Sequence, residues 1–268
     1  MEKHILYIHD SHFSHSSSSS WYNKPDEFVW VRKHDENHIV FTDNSVHLVD
    51  NYNNKKKYAW LLESPQITPF SYKYIENNYH KFDLIFTFDK NLLDISEKFI
   101  LTPIGGCWIE SHNRLIFEKN KNVSMILSNK KQTLGHLLRH EIYNTCHRID
   151  YFGFMKPISN KIEGLKDYRF SVIIENHKED FYFTEKLIDC FVTGTIPIYW
   201  GCPSIDKFFD MDGILSFNNI DELDKILNNL NENLYLEKIN SVNKNFELSK
   251  KYLVCENKIY NLIKNECY

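Results

Sequence analysis

Residues 168–201 read YRFSVIIENHKEDFYFTEKLIDCFVTGTIPIYWG, and this stretch decides the fold. An apolar strand, Phe170 to Ile174, ends in Glu175-Asn176, and a polar loop then leads into Tyr182-Phe183-Thr184-Glu185-Lys186. A helix follows, Gly194 closes it, and Thr195 to Trp200 supplies a second apolar strand. This is a strand–helix–strand unit with its polar groups gathered where the first strand ends and the helix begins. In an open α/β sheet that edge is where ligands bind.

The residue types at the edge suit a nucleotide sugar. Thr184 is placed to cap the helix, which leaves backbone N–H groups and the positive end of the helix dipole beside the strand. Such a terminus suits an anion, and Lys186 adds a full positive charge for phosphate. Glu185 would repel phosphate and suits hydroxyls instead, such as the two of a ribose. Asn176 and Tyr182 can both hydrogen-bond a sugar. The competing reading is a solvated first helical turn, because acids near helix starts are common.

Outward from this unit the chain alternates strand and helix. Strands are expected at His4 to His9, Phe28 to Val31, Ile39 to Thr42, Tyr58 to Leu62 and Leu84 to Phe88, with short helices at Tyr72 to Tyr79 and Leu92 to Phe99. Ser16 to Ser20 reads as a flexible serine loop. Pro103-Ile104-Gly105-Gly106 marks a turn, and the polar segment His112 to Asn122 reads as a connection between domains. Beyond it come a strand at Val123 to Leu127, a helix at Gly135 to Thr145, strands at Arg148 to Phe152 and Ile214 to Phe217, and a long helical region from Asp221. The expected organisation is two α/β domains facing a cleft, residues 1–115 and 116–268.

Composition narrows the function further. The 268 residues are 42% hydrophobic and 25% charged with a net charge of −4 and no long basic run, which argues against nucleic acid as a partner. Six cysteines lack CxxC pairs or zinc spacing, so a reducing, cytoplasmic setting is expected. No apolar run of about 18 residues is present, so no transmembrane segment is expected. The histidines form no arrangement that argues for a bound metal, and no obligatory metal is expected.

The motif from Glu175 to Gly201 resembles the donor-site motif of the α-1,3-fucosyltransferases, glycosyltransferase family 10. Glu175, Asn176, Tyr182, Thr184, Glu185, Lys186, Ile196, Pro197, Ile198 and Gly201 match in order. The resemblance implies a GT-B architecture of two Rossmann-like domains, with GDP-fucose as the donor substrate held by the C-terminal one. By position it implies that Asn176 contacts the fucose, Tyr182 the donor near sugar and phosphates, Glu185 the ribose hydroxyls and Lys186 the diphosphate. It also points to Trp60-Leu61-Leu62-Glu63-Ser64-Pro65, where a strand delivers a carboxylate and Pro65 ends it. Glu63 matches the family's base, which deprotonates the acceptor hydroxyl; a solvent-exposed strand-end Glu is the plainer reading. Ser128-Asn129 matches the family's Ser-Asn, but the spacing to the following Arg does not. Arg139, Lys130 and Lys131 all remain open as the partner of Lys186, with Arg139 preferred.

The resulting expectation is an inverting hexosyltransferase, most simply an α-1,3-fucosyltransferase acting on a glycan such as one containing N-acetylglucosamine. A relative using another nucleotide sugar, a non-catalytic nucleotide-sugar or glycan-binding protein on the same fold, and an α/β interaction protein are the alternatives. The last leaves the crowding of Asn176, Tyr182, Glu185 and Lys186 unexplained.

Overall fold

The computed structural model describes residues 3–10, 13, 16–32 and 37–265. Two parallel sheets organise it. The first holds β1 (His4–His9), β2 (Phe28–Val31), β3 (His38–Thr42), β4 (Lys56–Trp60), β5 (Leu84–Thr87) and β6 (Phe99–Leu101), in the order β2-β1-β3-β4-β5-β6. The second holds β7 (Lys121–Leu127), β8 (Asp150–Gly153), β9 (Tyr168–Ile174), β10 (Ile196–Trp200) and β11 (Leu215–Ser216), in the order β11-β10-β9-β7-β8. The helices are α1 (Pro69–Asn78), α2 (Lys90–Leu93), α3 (Leu134–Thr145), α4 (Glu185–Phe191), α5 (Ile220–Asn229), α6 (Glu232–Glu237), α7 (Ile239–Ser249) and α8 (Cys255–Asn265).

The expected division at 115/116 falls in the connection between β6 and β7. Strand order reverses between β1 and β3 in the first sheet and between β7 and β9 in the second. These reversals open crevices at the carboxyl ends of the strands, the places where α/β sheets take ligands. Asp10, Asp43, Ser128 and Glu175 each directly follow one of these four strands.

Both sheets are covered on two faces. Val123, Phe170 and Ile198 pack with residues of α5 and α7 on one face of the second sheet, and Ile173 and Tyr199 pack with α4 on the other. On the first sheet, Ile39, Ala59 and Ile85 pack with α1, while Leu6, Phe28 and Tyr58 pack with Cys255, Ile259, Tyr260 and Ile263 of α8. The chain's C-terminal helix therefore returns to the first sheet. The long helical region expected from Asp221 is broken into α5 to α8. Asn231 interrupts it by adopting an extended backbone and accepting the Leu234 N–H at 2.9 Å, a helix cap that starts α6.

The helix expected at Leu92 to Phe99 is also different. Asp89 caps one short turn, α2, and Phe99 is drawn into pairing with Ile85 as the start of β6. The serine run is not a loose loop. Ser18 and Ser20 are buried, and the Ser19 N–H donates to the Glu256 carboxylate of α8 at 2.6 Å. Among the described residues no helix is long and apolar enough to cross a membrane, and the five described cysteines are buried and unbridged; Cys267 lies outside the described residues.

Candidate active site

A cavity of about 480 Å³ is bordered by the carboxyl edges of both sheets. Glu63 enters it from the first sheet. Lys130, Arg139, Asn176, Tyr182, Thr184, Glu185 and Lys186 enter it from the second. These residues border one space, although they make different use of it; Lys131, the third basic candidate, is not among those lining it.

Glu63 follows β4, and its backbone is fixed on both sides. Its N–H donates to Asp43 Oδ1 at 3.2 Å, and its carbonyl accepts from the Tyr72 hydroxyl at 2.7 Å. Asp43 Oδ1 also accepts the Leu62 N–H at 3.0 Å. Asp43 itself is fully buried with φ of 37°, a left-handed conformation that aspartate adopts more readily than most residues. Its burial pushes the carboxyl up to about 8, with the nearby Glu63 and Asp10 charges adding to the effect. The Glu63 side chain, partly exposed, is carried on this tied-down turn.

On the opposite side, Glu175 organises the start of α4. It is wholly buried, accepts the Thr184 N–H at 2.9 Å and the Thr184 hydroxyl at 2.7 Å, and receives Lys186 Nζ at 3.4 Å. Lys186 Nζ also donates to Thr184 Oγ1 at 2.9 Å and lies 3.6 Å from Glu185 Oε1. The N–H and hydroxyl of Thr184 are therefore occupied by a buried carboxylate rather than turned toward a ligand, so its place is that of a link between Glu175 and Lys186. Gly105 reaches across to this point, pairing with Thr184 and donating its N–H to the Phe183 carbonyl at 3.0 Å from a backbone at φ +55°.

Arg139 projects from α3 and is nearly inaccessible. Its guanidinium donates to the Ile174 carbonyl through Nε at 3.0 Å and through a second nitrogen, and to Asn176 Oδ1 at 2.9 Å. Because Arg139 holds the Asn176 oxygen, the Asn176 amide is oriented with its N–H₂ as the remaining polar group. Beside it, burial together with the Arg139 and Lys130 charges pushes the His136 imidazole down to about 4, so it is neutral. Lys130 is exposed at the rim.

Tyr182, expected at the donor near sugar and phosphates, is deeply buried. Its ring is 1% exposed and packs on Phe88 with centroids 4.7 Å apart, inside the core of the first sheet. It wedges the two halves together as well as bordering the cavity.

The sequence reading missed Lys161 and Asp189. Lys161 Nζ lies 3.1 Å from Glu185 Oε1 and 2.9 Å from Asp189 Oδ2. Burial works against charge on Glu185, but Lys161 and Lys186 outweigh it and hold the carboxyl well below its usual range. A signal was available: Glu185 and Asp189 are four residues apart on one helix, so two like charges share a face and call for a cation. Among the described residues no group of three or more His, Cys, Asp or Glu side chains is placed to hold a metal ion.

Two sheets that meet at their carboxyl edges around one cavity, with a carboxylate on one side and a Lys-Glu-Arg set on the other, define a GT-B-type glycosyltransferase fold. The sequence profile of glycosyltransferase family 10 (fucosyltransferase), C-terminal region, matches residues 116–261, more than half of the chain, and the chain belongs to that family. It is 43% identical over 68 residues to the alpha-(1,3)-fucosyltransferase FucT of Helicobacter pylori, a match covering 24% of this chain and 14% of that one. A putative fucosyltransferase-like protein of Arabidopsis thaliana is 33% identical over 85 residues, 31% of this chain and 16% of its own. The matches thus span under a fifth of these relatives' lengths. The crystal structure of an alpha1,3-fucosyltransferase with GDP-fucose superposes with a TM-score of 0.59 at 17% identity, covering 94% of this chain and 90% of that one.

Proposed function

We propose that the chain is an inverting transferase that moves fucose from GDP-fucose to a hydroxyl of a glycan acceptor, of the α-1,3 type carried by its Helicobacter pylori relative. The observation that carries this reading is the single cavity bordered by Glu63 from one sheet and by Glu185 and Lys186 from the other. Residues 1–115 would present the acceptor and the part beyond them the donor.

In this reading Glu185, an ionised carboxylate, accepts the two ribose hydroxyls. Lys186 meets the diphosphate, and the Asn176 amide donates to the sugar. Arg139 aligns Asn176 and, with Lys130 at the rim, contributes positive charge as GDP departs. Tyr182 packs beneath the donor. Glu63 takes the proton of the acceptor hydroxyl as its oxygen attacks the anomeric carbon from the face opposite GDP, which inverts that centre. The step needs no metal in its charge balance, because Lys186 and its basic neighbours face the leaving group.

The test is GDP release with and without an N-acetylglucosamine-containing acceptor, for wild type and Glu63→Gln. The expected result is a loss of about a hundredfold or more in acceptor-dependent turnover, the usual weight of a general base, with GDP binding unchanged. An active wild type with an unimpaired variant would remove Glu63 as the base. An inert wild type that still binds GDP would favour a non-catalytic binding protein.

A further inference from the structure

We propose that Lys161 is a positioning residue for the nucleotide: it fixes the Glu185 carboxylate in the geometry that receives ribose hydroxyls. This role rests on the assignment of the cavity to a nucleotide-sugar donor.

Lys161 opens a short 3₁₀ turn, Lys161–Gly164, whose backbone is set before the side chain reaches out. Asn160 Oδ1 accepts the Ile162 N–H at 3.1 Å, and Glu163 Oε1 accepts the N–H groups of Ser159 and Asn160 at 2.9 and 3.1 Å. From this turn the ammonium lies over the Trp108 ring, 4.2 Å from its centroid. It bridges Glu185 Oε1 at 3.1 Å and Asp189 Oδ2 at 2.9 Å. The other Asp189 oxygen, Oδ1, accepts the Trp108 N–H at 2.7 Å. Asp189 is 1% exposed, so this is a built-in crosslink between α4, the 159–164 turn and the connection between the sheets.

Two features separate this arrangement from an ordinary surface ion pair. Glu185 and Asp189 are like charges one helical turn apart, and without a cation between them Glu185 is repelled from the helix face. Burial disfavours charge on Lys161, and the carboxylates of Asp189 and Glu185 overcome that and keep the ammonium protonated. Lys186 also approaches Glu185 Oε1, at 3.6 Å, but it is shared with Glu175 and Thr184. Lys161 is therefore the cation assigned to Glu185, while Lys186 remains available to phosphate. Lys161 borders the cavity too, and a direct contact with phosphate is the rival role.

The two roles are separated by pairing the substitution with removal of the ribose hydroxyls. Calorimetric titration of the full chain with GDP and with 2′,3′-dideoxy-GDP is run on wild type, Lys161→Met and Lys161→Arg. Wild type is expected to bind GDP about tenfold more tightly than the dideoxy nucleotide, the weight of charge-assisted hydrogen bonds to the hydroxyls. In Lys161→Met, GDP binding falls about tenfold while dideoxy-GDP binding stays put, so the preference collapses; Lys161→Arg restores it. Equal weakening of both nucleotides would overturn the proposal in favour of a phosphate contact or a general structural role. A wild type that binds both nucleotides alike would end the Lys161 and Glu185 assignments and leave nucleotide binding standing. A wild type that binds neither would end the donor reading itself. Should Lys161→Met fail to fold, Lys161→Gln keeps a hydrogen-bond donor, drops the charge and carries the same comparison.

Discussion

Replacing Glu175 by glutamine changes one atom type at the centre of the donor side, and the surrounding contacts dictate the consequences. In the wild type Oε1 accepts the Thr184 N–H at 2.9 Å, while Oε2 accepts the Thr184 hydroxyl at 2.7 Å and Lys186 Nζ at 3.4 Å. A glutamine carbonyl must stay on the Thr184 N–H, since a donor cannot face a donor. Its N–H₂ then lands where Oε2 was. The Thr184 hydroxyl can turn from donor to acceptor and keep its bond. Lys186 cannot adapt, because an ammonium has only donors. The variant therefore loses one charge-assisted contact in a buried setting, about 2 kcal/mol. For a chain of this size about 2–4 °C accompanies each kcal/mol, which predicts a melting temperature lower by roughly 4–8 °C. Lys186 also loses an anchor, so GDP binds several-fold more weakly. Glu175→Ala strands the Thr184 N–H and hydroxyl as well as Lys186, and costs about 3–5 kcal/mol. Scanning calorimetry with GDP titration reads both effects. A Glu175→Gln protein that melts with wild type and binds GDP equally well would refute the reasoning that Glu175 sets the geometry of Lys186.

Other perturbations test neighbouring parts. Folded Asp43 keeps its proton up to about pH 8, whereas unfolded it ionises near 3.8, so between these values the folded state binds more protons. The stability it contributes is complete at the acid end and is lost as pH rises through that window. Asp43→Asn keeps the acceptor for Leu62 and Glu63 and drops the titration, so its stability relative to wild type in urea unfolding should rise from acid to mildly alkaline pH; a difference flat with pH contradicts the assignment. At Gly135 an added Cβ would lie 1.8 Å from the Glu175 carbonyl oxygen, a backbone atom that cannot move aside. Gly135→Ala should cost about 3 kcal/mol of overpacking and abolish GDP binding, seen by denaturation and titration together; a variant with wild-type stability would show that α3 can draw back from β9.

The strands other than β6 were legible because parallel strands covered on two faces are nearly continuous apolar runs. FSVII and IPIYW leave little else to choose. The failures lie where tertiary context overrides a local pattern. Phe99 sits in a stretch of helical spacing, yet pairing with β5 offers it a buried place that a solvent-facing helix does not. The serine run carries no local signal of order. What orders it is Glu256, 237 residues away in sequence. At the site, the order Tyr182, Thr184, Glu185, Lys186 disclosed which side chains gather, because a strand end and a helix start bring neighbours in sequence together. It did not disclose their partners. Glu175, Lys161 and Trp108 act on that segment through contacts across the fold, and only the Glu185–Asp189 spacing hinted that a cation was required.

Donor binding at the α4 edge is tested most directly by a calorimetric comparison of GDP and UDP binding to the wild-type chain and to Lys186→Ala. Wild type is expected to bind GDP in preference to UDP, and Lys186→Ala to weaken GDP by about tenfold, the loss of a charged contact to phosphate. Binding of UDP but not GDP, or GDP binding indifferent to Lys186, would contradict a GDP-sugar site built on this lysine.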